Sequence, residues 1–207
     1  MARFHRATLT PSKAELIVAW AATQPWGPPD GVDVDVIGAF RFDDPDGLVG
    51  METHIVRAGD SLIQVPLTYR DEPLAGAEGS LAGQIEHSAL GTRWVYDGLA
   101  DAAYVTMLAA VAMTGQGEAV GMVLADDRWI VAPSNVRLEG GGWTQERVAI
   151  DRFEPRSDDG PTVVLVNDRF ELTVHRHPVT APRPPMGLVA RWEDHPAGVL
   201  LANVSER

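Results

Sequence analysis

Runs of alternating apolar and polar residues dominate the first half of the chain. The clearest is residues 61–69, where Leu62, Ile63, Val65, Leu67 and Tyr69 suit a strand buried on one face. Residues 92–96 form a second such run. There Trp94 and Tyr96 take one face and Arg93 and Val95 the other. Residues 35–42, 48–56 and 84–89 read as three further strands, and residues 3–8 as a possible edge strand. DDPDG and AGD are hairpin connections, while Pro73, Gly76, Gly79 and Gly83 give residues 69–84 the backbone freedom of a long surface loop. The period changes twice. Thr10 reads as an N-cap with Pro11 in the first helical turn, and residues 11–23 place Leu16, Ile17 and Trp20 on one side. Asp97 or Asp101 caps a second helix over 102–113, with Tyr104, Met107, Leu108 and Val111 facing the sheet. A curved antiparallel sheet packed with two helices is the α+β arrangement these elements predict.

Beyond Met113 no helical period is found. Short β-type runs at 119–125, 129–132, 147–153, 162–166, 170–175, 187–192 and 199–204 alternate with turn signals. Among those signals are Gly140-Gly141-Gly142, RSDDGP, TAPRPP and EDHPAG. The reading is an all-β module of about six to seven short strands following the α+β part, with domains at 1–114 and 115–207.

Composition narrows the function classes. A formal net charge of -12 over 207 residues opposes binding to nucleic acid or to an anionic membrane surface. Cysteine is absent, which removes disulfides, thiolate catalysis and cysteine-bound zinc. Lys13 is the only lysine among 17 basic residues, so Schiff-base or phosphate-gripping lysine chemistry has one possible location. The N-terminus lacks the apolar core of a signal peptide and no apolar window is long enough to span a bilayer, so a cytoplasmic location is expected.

Most candidate chemistry has a plainer explanation. His175 and His177 share one face of a strand, as metal ligands can, but nothing nearby supplies a third ligand. Asp43, Asp44 and Asp46 resemble a calcium loop, yet Pro45 interrupts it and His54 stands where the bidentate glutamate belongs. Gly115-Gln116-Gly117 precedes a strand, so no helix N-terminus awaits a phosphate. No G-x-S-x-G elbow occurs, and Ser80 with His87 makes a poor triad. No metal, cofactor or catalytic residue is expected. The best constellation is polar and aromatic: Glu86, His87, Arg93, Trp94 and Asp97, with Tyr69 and Arg70 where the loop of residues 69–84 begins. Glu86 and Arg93 are expected to pair across the hairpin. An aromatic face beside a guanidinium and a carboxylate suits a small-ligand or partner surface.

Three blocks carry a resemblance: LTPSKAELIVAW…QPW, FRFDDPDGLVGMET and VPLTYRDEPLAGAEGSLAGQIEHSALGTRWVYDG. In order and spacing, over about residues 8–113, they resemble the N-terminal cap of bacterial maltokinases. ELTVHRH…GLVARW…VLLANV resembles the β-rich second module of small stand-alone members. The resemblance implies an antiparallel sheet with helices that sits, in the kinases, on the N-terminal lobe, while the C-terminal lobe holds base and magnesium ligands. No H-x-D-x-x-x-x-N segment occurs here, and the chain leaves no room for that lobe, so kinase activity is not expected. The expectation is a non-catalytic accessory that binds a protein partner, linked to α-glucan, trehalose or amino-sugar metabolism. The alternative is a module binding a sugar or sugar phosphate in a cleft between the two halves.

Overall fold

The computed structural model describes residues 2–4, 7–132, 134–143, 148–158 and 160–207. In chain order β1 (Ala2–Phe4) and β2 (Leu9–Thr10) lead into α1 (Lys13–Ala21). There follow β3 (Val34–Phe42), β4 (Gly50–Ala58), β5 (Ser61–Arg70), β6 (Leu81–His87), β7 (Gly91–Asp97) and α2 (Ala102–Thr114). The second half holds β8 (Gly121–Ala125), β9 (Arg128–Val131), β10 (Arg137–Gly140), β11 (Glu154–Asp158), β12 (Thr162–Val166), β13 (Phe170–Val179), β14 (Gly187–Trp192) and β15 (His195–Glu206).

The first sheet runs β2-β6-β7-β5-β4-β3, antiparallel throughout, and curls into a half-barrel. The second runs β10-β14-β15-β13-β12-β11, also antiparallel, and β1, β8 and β9 form a small third sheet in which β1 is parallel to β8. Fold class thus agrees with the sequence pattern, and the local differences have physical reasons. The cap of α1 is Ser12, not Thr10: its hydroxyl accepts from the Glu15 amide while Glu15 accepts from the Ser12 amide, a reciprocal capping box. The run at 147–153 is not a strand over its described residues, 148–153. The strand begins at Glu154, and RSDDGP, read as a turn, continues it through Asp158 opposite Val163.

Residues of the first half pack into both of the hydrophobic clusters. Against one face of the curled sheet α1 lays Leu16, Ile17 and Trp20 over Val56, Ile63 and Val65. Against the other face, Phe40, Phe42, Met51 and Ile55 meet α2, and the same cluster continues into Leu172, Val174, Leu188 and Leu201 of the second sheet. α2 therefore lies between two sheets. Its uncharged sequence, AAYVTMLAAVAMT, follows from that position: Tyr104 and Leu108 are buried, and so are Val105, Ala109, Ala112 and Met113. The triple glycine closes the helix. Gly142 donates its amide to Ala112 O at 2.9 Å, and a Cβ there would stand 2.2 Å from Met113 O.

Polar groups stitch the two sheets together. Buried Gln64 of β5 donates to the carbonyls of His175, at 2.5 Å, and Leu201, at 2.7 Å. Arg176 of β13, 1 % exposed, donates to Asp97 and lies over the Trp26 ring, 4.5 Å from its centroid. Its Nε and Nη1 have no hydrogen-bond partner among the described residues. Loop residues cover the outer edge of β3: Asn135 bonds Ala39 N and Ile37 O, Ser134 donates to Ala39 O, and Ala119 N donates to Arg41 O.

A guanidinium this deeply buried depends on its single carboxylate. Asp97→Ala is expected to cost about 3–5 kcal/mol, because it strands a buried charge. Arg176→Met, which keeps an apolar stem on Trp26, is expected to cost clearly less. Urea unfolding of both variants checks the order; a larger loss for Arg176→Met would contradict it.

Candidate functional site

Strand register decides which side chains share a face. Arg41 stands opposite Glu52, Glu52 opposite Leu67, and Tyr69 opposite Val95. Across the next hairpin Arg93 stands opposite Ile85, and His87 opposite Gly91. Arg41, Glu52, His54, Tyr69, His87 and Arg93 therefore line the concave side, the side that α1 covers. The helix and Trp26 fill one end of that concavity. At the other end a cavity of about 460 Å³ remains open, reached from the first turn of α1 by Lys13 and from β2 by Leu9. Two hairpin loops form its rim and leave leucines in solvent, Leu48 at 72 % exposure and Leu90 at 46 %. Asp44 shapes the first loop by accepting from the amides of Asp46, Leu48 and Val49. His87 shapes the second, with Nδ1 accepting from Ala89 and Leu90.

A buried carboxylate forms the back wall. Glu52, 8 % exposed, bonds the Lys13 ammonium and lies 3.5 Å from His54 Nε2. His54 Nε2 in turn is 3.3 Å from the Tyr69 hydroxyl, and Lys13 lies 5.1 Å from the centre of the Tyr69 ring. Burial opposes ionisation of Glu52, but His54 and then Lys13 outweigh it and hold the carboxyl well below the usual range. Burial, reinforced by the Glu52 charge, pushes the Tyr69 hydroxyl well above its usual range, against the opposing charge of Arg41. At neutral pH the wall presents an anion, a cation and a neutral phenol.

The structure brings three of the sequence candidates together: Tyr69, His87 and Arg93 all line the cavity. The others lie elsewhere. Trp94 pairs with Arg70 and Gln84 and, one residue after Arg93, points to the opposite face. Arg70 grips Asp101, the cap of α2, with two bonds of 2.7 and 2.9 Å. Asp97 holds Arg176. Glu86 does not pair with Arg93: the register sets Glu86 against Thr92, whose hydroxyl donates to it at 2.7 Å, and Arg93 donates to Leu90 O at 2.8 Å. His177 contacts Trp26 O at 3.0 Å, and no group of His, Asp or Glu among the described residues could hold a metal ion. The cavity also differs in place from a cleft between the halves. Its lining runs from Ala7 to Arg93, because α2, Gln64 and Arg176 fill the junction with the second sheet. Lys13, Arg41, Glu52 and His54 were missed as site residues. A signal existed, since Glu52 and His54 sit at alternate positions leading to buried Val56, where an apolar face would be expected.

Two groups make stability depend on pH in the same direction. Burial lowers the His175 imidazole below its ordinary 6.5, and Glu52 sits below its ordinary 4.5. In both cases the unfolded chain takes protons more readily, so stability present at neutral pH is lost on acidification. The loss begins as pH falls through 6.5 for His175 and near 4.5 for Glu52. Glu52→Gln is expected to cost about 1.5–3 kcal/mol at neutral pH and to flatten the acid limb below 4.5. Chemical denaturation at a series of pH values checks this; an unchanged limb would show that Glu52 does not supply it.

No helix among the described residues is long and apolar enough to cross a membrane. No curated protein matches the chain. Residues 20–101, which include most of the curled sheet and the turn into α2, match the family model described as the maltokinase N-terminal cap domain. Over that span the chain is similar to the maltokinase N-terminal cap family.

Proposed function

We propose that the chain is a non-catalytic cap module that binds a small polar ligand, a sugar or a sugar phosphate, in the cavity of the curled sheet. The observation that carries this reading is Glu52, a buried and ionised carboxylate at the back of an open cavity of about 460 Å³. A fold gains little from burying such a charge for stability alone, whereas a ligand site uses it for orientation. The volume is in the range of small-molecule sites, and the mixture of charged and aliphatic lining suits a ligand with both hydroxyls and carbon faces. Nothing in the lining pairs a nucleophile with a base, which favours binding over turnover.

A second reading, a cytoplasmic accessory that docks on a protein partner in α-glucan, trehalose or amino-sugar metabolism, is favoured by a different feature. The β8–β9 hairpin exposes Leu124 at 55 %, Trp129 at 47 %, Ile130 at 52 % and Val131 at 58 %. Leu124, Trp129 and Val131 share one face of that hairpin, and exposed apolar side chains grouped so are uncommon on a protein without partners.

Titration calorimetry with maltose, trehalose, glucosamine and their phosphates tests the first reading. Saturable heat with one of them, lost in Leu90→Trp at the cavity mouth while thermal stability is kept, is the expected result. Heat unaffected by that variant would move the site elsewhere. For the second reading, affinity capture by the wild type is compared with Trp129→Ser/Ile130→Ser. The variant is expected to lose a protein that the wild type retains, and identical captures would count against the hairpin.

A further inference from the structure

We propose that the ligand of this cavity carries an anionic group, a phosphate ester or a carboxylate, and that Arg93 receives it with Lys13 beside it. The inference rests on the ligand-binding reading above and narrows it.

Aromatic stacking is the first consideration. Neutral pyranoses are held largely by flat aromatic faces, and this cavity does not offer a free one. Trp94 points away from it. Of the two aromatic residues in its lining, Tyr69 carries the Lys13 ammonium near its ring, and Phe42, 4 % exposed, is packed against Phe40 and Tyr104. What remains is charge, hydrogen bonding and aliphatic surface from Leu9, Ile85 and Leu90.

The charges are unevenly committed. Acidic residues outnumber basic ones 29 to 17 in the chain, but the cavity lining holds three of each: Glu52, Asp43 and Asp44 against Lys13, Arg41 and Arg93. The carboxylates are answered within the protein. Glu52 has Lys13 and His54, and Asp44 accepts from three backbone amides. Arg93 is in a different position. Its Nη2 donates to Leu90 O, and among the described residues its other guanidinium donors have no acceptor. That contact also fixes the side chain at the rim, so the planar fork is held in place before any ligand arrives. A fork with donors to spare is the group that matches the two oxygens of a carboxylate or phosphate. Lys13, with its side chain 32 % exposed, stands within the same cavity; its charge is paired with Glu52, and its remaining ammonium donors are what it offers an entering anion.

Calorimetry on the full chain with trehalose, trehalose 6-phosphate, glucosamine 6-phosphate, glucuronate and inorganic phosphate tests the proposal. At least one phosphorylated sugar or glucuronate is expected to bind about tenfold or more tightly than trehalose. Which of the two binds identifies the anion. In Arg93→Gln that preference is expected to vanish, in Arg93→Lys to fall part of the way, and in Arg57→Gln, which alters an exposed arginine outside the cavity, to persist. Added salt is expected to weaken the anionic ligand selectively. Trehalose binding as tightly as every anionic probe, or a preference unaltered in Arg93→Gln, overturns the proposal while leaving the ligand-binding reading intact. Absence of binding by every probe overturns both.

Discussion

Everything in this structure depends on a sheet whose central strands are covered on both sides. In β4 and β5 six consecutive residues each are buried, from Met51 to Val56 and from Ile63 to Thr68, because α1 closes one face and α2 with the second sheet closes the other. A polar side chain on those strands must find a partner, since a buried polar group without one is costly. Gln64 finds two carbonyls of the second sheet, Thr53 finds the Tyr104 hydroxyl of α2, and Glu52 finds Lys13 and His54. Thr68, whose buried hydroxyl has no partner among the described residues, is an exception; the other three positions mark what lies over them. Two mark the junction with other elements, and Glu52 marks the cavity.

Local elements were legible for a simple reason. Alternation and turn chemistry act over a few residues, and they located β3, β4, β5, β7, β12 and β14 and both helices to within a few positions. Glu154–Asp158 was missed because it begins with Glu-Pro-Arg, an edge strand whose exposed side chains carry no apolar period. β10 was missed because RLEG is four residues long and buries only Leu138. The site was legible by half. Residue types at 69, 87 and 93 suggested a polar surface, but Arg93 and Trp94 were grouped together although adjacent strand residues face opposite ways. Which face is concave depends on the register with β5 and β6, and that is a long-range property. Lys13 and Arg41 escaped notice because they enter the cavity from elements distant in sequence from the hairpin.

The family match and the shared core answer different questions. The match to the cap family covers residues 20–101 and most of the curled sheet. The apolar surface on the back of that sheet is covered by α2 and by strands beyond the matched span. An uncharged helix of thirteen residues is the element that both layers use, and its composition makes sense only with apolar neighbours on each side.

The outer edge of β3 has one more consequence. A strand at the margin of a six-stranded sheet normally presents unpaired amides and carbonyls to any extended chain that passes. Here Asn135, Ser134 and the Ala119 amide already occupy those of Ile37, Ala39 and Arg41. A visiting chain would have to displace an asparagine that satisfies a donor and an acceptor at once. From Ile37 to Arg41 the margin of the half-barrel is thus already engaged by the chain's own second half, which leaves less of it open to strand-by-strand pairing with another copy.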